Sequence, residues 1–168
     1  LVAFTFFNNI ELPPKSELHV AMGWRDSELG GTGPAILVGR KQYDFGFGNP
    51  VGLAAMAYLG RGFYKNKIPL RAIGVFPTWD RLIFAVRKET GIESLEDVVK
   101  KRYPLRISTR RRVKLQTTVY AIEEVLKAYG TSFREIERWG GKIMEAPNPS
   151  GAVRRDHIES GAADAVFD

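Results

Sequence analysis

Cysteine is absent from the 168 residues. That removes disulfide staples, thiolate nucleophiles and cysteine-held metals together. Histidine is nearly absent: His19 and His157 are the only 2, and neither has a partner at metal-ligand spacing. No local Ser-His-Asp motif accompanies them, although such triads are set by space rather than by sequence. Isolated core or surface histidines account for both. No apolar run reaches the roughly 20 residues needed to span a bilayer. Residues 1–7 are apolar but lack the basic flank and small-residue cleavage site of a signal peptide. Acidic residues are in deficit, 19 against 25 basic ones, for a net charge of +6. An acidic ligand or a nucleic acid fits that excess, and so does a solubilising surface.

With 44% hydrophobic and 26% charged residues, the chain has the composition of a globule, one ordinary domain or two small lobes. Strand and helix signals alternate, which predicts an α/β fold. Residues 18–22 alternate in polarity and predict a strand. Gly30-Gly31-Thr32-Gly33-Pro34 follows. Thr32 can cap a helix and Pro34 suits its first turn, which predicts a helix to residue 40. Residues 43–47 read as a short buried strand. After the Gly48-Asn49-Pro50 turn, small residues predict a helix over 51–59. Residues 70–76 and 82–86 are apolar and β-rich.

Ser94 and Asp97 make a variant capping box, with a short helix expected to about residue 101. A strand is expected over 105–108. The clearest helix covers 117–129, where Val119, Ile122, Val125, Leu126 and Tyr129 share one face and Gly130 ends it. Ser132 and Glu135 repeat the capping box ahead of Ile136 and Trp139. A helix over 151–159 and a strand over 165–167 close the chain. Helix, glycine, aspartate and apolar strand recur in both halves, through Gly39 and Asp44 and again through Gly161 and Asp164. This predicts two α/β lobes, residues 1–85 and 86–168. Ligands in open α/β sheets bind at the carboxyl ends of the strands, so two such edges facing each other would make a cleft.

Gly30-Gly31-Thr32, then Gly39 to Asp44 and Phe45-Gly46-Phe47, resemble the first lobe of TAXI-type solute receptors of TRAP transporters. These belong to the type II periplasmic-binding-protein superfamily, close to the NMT1/THI5-like group. Leu70-Arg71-Ala72-Ile73 and Arg81-Leu82-Ile83-Phe84-Ala85-Val86 are similar to the family's crossover. Gly91-Ile92-Glu93-Ser94-Leu95-Glu96-Asp97 resembles its Gly-Ile-x-Ser-Leu-x-Asp element, and Ser160-Gly161 through Ala163-Asp164-Ala165-Val166 resembles the end of a unit in its second lobe. The resemblance covers about residues 18–168. It implies a two-lobed type II fold whose C-terminal return segments do not follow here, as expected of either a fragment or a divergent, shortened form. It also implies a non-catalytic receptor that closes on a small organic anion in an interlobe cleft and presents it to a membrane permease, in the periplasm or another extracytoplasmic space.

The resemblance places ligand contacts on the lobe-edge loops: Gly31, Thr32 and Asn49; Thr78 and Trp79; Ser108, Thr109, Arg110, Arg111 and Thr117; and Asn148 and Ser150. Exposed glycine N–H groups and helix starts favour anions, hydroxyls and amides add neutral hydrogen bonds, and a Trp adds an apolar wall. Each has a second reading. Thr32 could be only a cap, Asn49 only a turn before proline, and Trp79 only hinge packing. Arg110, Arg111, Arg112 and Lys114 precede the best helix near its positive end, so an acidic ligand would relieve them; a solvated basic face fits equally, with Arg112 pointing to solvent. Aromatics are not interleaved with this run as nucleic-acid stacking requires, and no nucleic acid, cofactor or metal is expected. Two further functions carry the same resemblance: a pyrimidine-precursor enzyme, which would use a lysine such as Lys114 and a histidine such as His157, and an effector-binding sensory domain.

Overall fold

A computed structural model of the chain describes residues 9–20, 30–77, 81–113 and 115–168. They belong to two compact units, Leu1–Val75 and Phe76–Asp168. The division falls upstream of the expected boundary after residue 85. The reason is pairing: the apolar run that was expected to close the first lobe supplies a strand to the sheet of the second unit.

In the first unit a 3-10 turn, Gly30–Thr32, runs directly into α1, Gly33–Gly39, with Pro34 in its first turn. Thr32 is fully buried. It has helical backbone angles, φ −82° and ψ −14°, and its side chain makes no capping bond. Capping needs an extended residue, so the cap expected of Thr32 is not formed. Its carbonyl instead accepts from the Tyr64 hydroxyl at 3.4 Å. The second helix, α2, covers Gly52–Leu59 and buries Leu53 and Ala57, one turn apart. Gly60 ends it with φ +66°, where a Cβ would stand 2.8 Å from the Lys67 nitrogen. Only glycine suits both the angle and the approach.

Among the described residues the first unit has no strand. Residues 18–20, 43–47 and 70–76, expected to be extended in sheets, are irregular; residues 21 and 22 lie outside the described residues. Phe45 and Phe47 are exposed, and Ile73 keeps 82% of its surface. Apolar alternation fits a residue to a strand, but the strand forms only against a partner strand, and these segments join no β-ladder among the described residues.

The second unit is built on one four-stranded sheet. Its strands are β1, Phe84–Val86; β2, Arg106–Arg110; β3, Lys142–Ala146; and β4, Ala165–Phe167. Their spatial order is β1-β4-β2-β3, with β2, β3 and β4 mutually parallel and β1 antiparallel to β4. Four helices complete the unit: α3, Leu95–Lys100; α4, Thr117–Ala128; α5, Phe133–Arg138; and α6, Ala152–Glu159. The chain as a whole is therefore mixed α/β, with six α-helices and four strands among the described residues.

Both serine caps form, and among the described residues only the first has a return bond, made to the residue before the cap. Ser94 Oγ accepts from the Asp97 N–H at 3.2 Å, while the Asp97 carboxylate accepts from the Glu93 N–H at 3.1 Å. Ser132 Oγ accepts from the Glu135 N–H at 3.1 Å. The 3.6-residue periodicity of α4 buries Ile122 and Leu126. They pack with Phe133 and Ile136 of α5 on Ile107, Ile143, Ala165 and Phe167 of the sheet. Strand residues alternate between faces, so Ser108, Arg110, Met144 and Val166 point to the other face. That face is covered by α6, which packs on β2 and β3.

This layering follows from the connections. The chain steps from β2 to β3 through α4 and α5, then returns past β2 to β4 through α6. Right-handed crossovers taken in opposite directions put their helices on opposite faces. The direction reverses between β2 and β3, which makes the carboxyl ends of those strands a topological switch point.

Candidate functional site at the carboxyl edge

Ser108, Thr109 and Arg110 end β2 at that edge. Ser108 and Thr109 are fully buried. Ser108 Oγ lies 2.9 Å from His157 Nδ1 on α6. Arg110 Nε donates to both carboxylate oxygens of Asp168, at 2.9 and 3.1 Å. Arg154, three residues before His157 on α6, donates from Nη2 to Asp168 Oδ2 at 2.7 Å. Arg154 is 2% exposed, while Val153 and Ile158 of the same helix are 44% and 39% exposed. The helix thus turns Arg154 and His157 inward and Val153, Arg155 and Ile158 outward.

On the opposite face Arg112 is tied to two acids. Nη1 is 3.0 Å from Glu137 and Nε is 3.1 Å from Glu145, so this side chain does not simply point to solvent. Burial pushes the nearby Glu123 carboxyl above its ordinary range, against the opposing pull of the Phe133 N–H and of Arg112. Thr109, on this same face, buries an Oγ1 without a hydrogen-bond partner.

The expected site residues fall into three groups. Ser108, Thr109, Arg110, Arg111, Thr117, Asn148 and Ser150 all belong to the carboxyl edge of the second unit, at strand ends or on the loops and helix start that follow them. Within it, Arg111 is exposed and carries no ion pair among the described residues. Thr117 begins α4, whose cap is Gln116: its Oε1 accepts from the Thr118 N–H at 3.4 Å. Asn148 lies against the start of α6, with Oδ1 2.9 Å from where a Cβ on Gly151 would stand. Gly31, Thr32 and Asn49 belong to the first unit, Thr32 buried and Asn49 exposed. Thr78, Trp79 and Lys114 lie outside the described residues.

Sequence reasoning missed Arg154 and Asp168 and took His157 for a stray histidine. The available signal was the spacing of Arg154 and His157, one turn apart and thus on one face of their helix.

The opposite, amino edge of the parallel strands holds a shallow depression of about 300 Å3, lined by Arg87, Glu89, Tyr103, Arg106 and Asp164 among others. Its charges are largely committed. Asp164 accepts from the Arg106 backbone at 3.1 Å and from Arg106 Nε at 2.8 Å, with Nη2 on its other oxygen. The guanidinium holds the Asp164 carboxyl below its ordinary range. Arg87 Nε donates to the Ala163 carbonyl at 2.9 Å and its Nη2 to that of Ile158. These bonds clamp the start of β2 and β4 rather than present free groups to a ligand.

No protein-family model, curated protein or solved structure matches the chain. The chemistry of the site must be argued from its groups. Ser108 and His157 are a hydroxyl and a base at hydrogen-bond distance, but the hydroxyl is wholly buried, and nucleophilic attack requires contact with the substrate. Among the described residues no group of three or more His, Asp or Glu side chains is placed to hold a metal, and no helix is long and apolar enough to cross a membrane. A cation, a helix start and neutral hydrogen-bonding side chains meet at this switch point.

Proposed function

We propose that the second unit is one lobe of a type II periplasmic-binding-like solute receptor, which captures a small organic anion at the carboxyl edge of β2 and β3. The observation that carries this reading is the exposed Arg111, without an ion pair among the described residues, on the loop between the end of β2 and the start of α4, at the switch point of the parallel strands. A 12-residue helix contributes partial positive charge at its start, and the crevice outside parallel strand ends is where such sheets take ligands. In this role the chain works outside the cytoplasm, delivers the anion to a membrane permease and performs no chemistry on it.

Calorimetry of the purified chain against carboxylates, sulfonates and neutral amino acids tests the reading. An anion of the panel binds, and neutral amino acids of the same size do not. A charge-assisted hydrogen bond contributes about 1.5–3 kcal/mol, so Arg111→Ala weakens that anion about tenfold to a hundredfold. Equal binding by wild type and Arg111→Ala removes Arg111 from the site.

A further inference from the structure

Arg110 and Arg154 come from different elements, the end of β2 and the inward face of α6, and converge on one carboxylate. Three hydrogen bonds of 2.7–3.1 Å reach Asp168 from them. The cluster carries two cations and one anion. A guanidinium has five N–H donors and a carboxylate about four acceptor sites, so donors are in excess. The excess is visible at Arg154, whose side chain is 3% exposed and whose Nε is buried with no hydrogen-bond partner. A purely structural ion pair so deeply placed would be expected to satisfy its donors, because a buried unpaired polar group is costly.

We propose that Arg110 and Arg154 form a carboxylate-binding fork that Asp168 occupies from within, so that a free carboxylate competes with Asp168 for it. The backbone of Asp168 is held independently of its side chain: its N–H donates to the Ile83 carbonyl at 3.0 Å, and its carbonyl accepts from the Ile83 N–H at 2.7 Å. Exchange therefore requires rotation of one short side chain and leaves the sheet intact. The fork is reachable from the edge, since the Arg110 and Asp168 side chains keep 23% and 15% of their surface. A monocarboxylate fits the arrangement, because the bonds to Asp168 already display the number and direction of contacts that such a group accepts. Asp168 acts as an internal plug: it keeps two like charges together while the fork is empty, and it sets the threshold a ligand must exceed.

The test uses the full chain, wild type and Asp168→Asn, with sodium formate as the probe and sodium chloride at matched ionic strength as the control. Asp168→Asn keeps the shape and removes the competing charge. It takes formate saturably and at least tenfold more tightly than wild type, and Asp168→Asn/Arg154→Met loses that binding. Formate also moves the Nε–H resonances of both Arg110 and Arg154 in Asp168→Asn. Equal formate affinity in wild type and Asp168→Asn overturns the proposal, as does formate binding that survives Arg154→Met. If Asp168→Asn does not fold in chloride, folding restored by formate supports the fork, and a chain unfolded in both salts refutes it. The fork does not depend on the solute-receptor reading: a panel in which no solute binds wild type would end that reading, while formate uptake by Asp168→Asn would stand.

Discussion

Ser108 Oγ and His157 Nδ1 meet at 2.9 Å across the face of the sheet that α6 covers. This bond and the Arg154–Asp168 bond, one helical turn away, fix which side of α6 faces inward. They explain how a helix can bury an arginine while leaving Val153 and Ile158 in solvent. Polar partners at fixed positions on β2 and β4 override the hydropathy of the helix.

Ser108→Ala removes one partner and leaves an imidazole nitrogen unpaired in a part-buried place. Losing a bond of this kind costs about 1–3 kcal/mol. Chemical denaturation of Ser108→Ala, His157→Ala and the double variant tests it: the two changes are non-additive if the pair acts as a unit. Additive losses would show that the contact contributes nothing of its own.

The Arg106–Asp164 clamp makes stability depend on acid. The Asp164 carboxyl titrates lower in the folded chain than in the unfolded one, chiefly through its bond to Arg106. Its contribution is therefore complete above the unfolded value of about 4 and is lost as pH falls through the lower folded value. Thermal melts of wild type and Asp164→Asn across acid pH read this out. The wild type is the more stable at neutral pH, and the gap closes in acid. A gap that is constant with pH would contradict the linkage.

Glu123 behaves in the opposite sense. Burial raises its carboxyl pKa, so the charged form costs stability at neutral pH, and the cost is relieved as pH falls below the raised value. Glu123→Gln keeps an acceptor for the Phe133 N–H and removes the half-buried charge. It raises the melting temperature at pH 7 and loses the advantage in acid. A lower melting temperature at pH 7 would show that the attraction of Arg112 outweighs burial.

Phe133 is 1% exposed in the core beneath α4 and α5. Truncating a buried aromatic typically costs about 3–5 kcal/mol. Phe133→Ala lowers the unfolding free energy of the second unit, read by chemical denaturation, by an amount in that range. A cost below about 1 kcal/mol would mean that the cluster repacks around the vacancy.

Local signals were legible in the sequence and long-range ones were not. Ser94 with Asp97 and Ser132 with Glu135 form the expected caps because such bonds span three residues. Val119, Ile122, Val125 and Leu126 of α4 reach the core as their periodicity predicts, whereas Tyr129 lies past the helix and is exposed; the expected strand over 165–167 is β4. The strands expected over 43–47 and 70–76 depended on partners that no local pattern reveals. The run over 82–86 yields a strand, but its partner β4 lies at the far end of the second unit, so the run was assigned to the wrong side of the division. Asp168 as the counter-ion of Arg110, and Arg154 beside it, depend on the order of strands in the sheet. Only the basic run itself was visible, and within it Arg110 and Arg112 are paired while Arg111 has no ion pair among the described residues.

The proposed site at this edge is for an organic anion. Its most direct measurement is a calorimetric titration of the wild-type chain and Arg111→Ala with the tightest anion of a carboxylate and sulfonate panel, repeated at two salt concentrations. The account predicts saturable binding by wild type, about tenfold to a hundredfold weaker binding by Arg111→Ala, and a loss of affinity with added salt, since an exposed cation is screened. Absence of saturable binding by any anion would contradict it, and affinity unchanged in Arg111→Ala would take Arg111 out of the site.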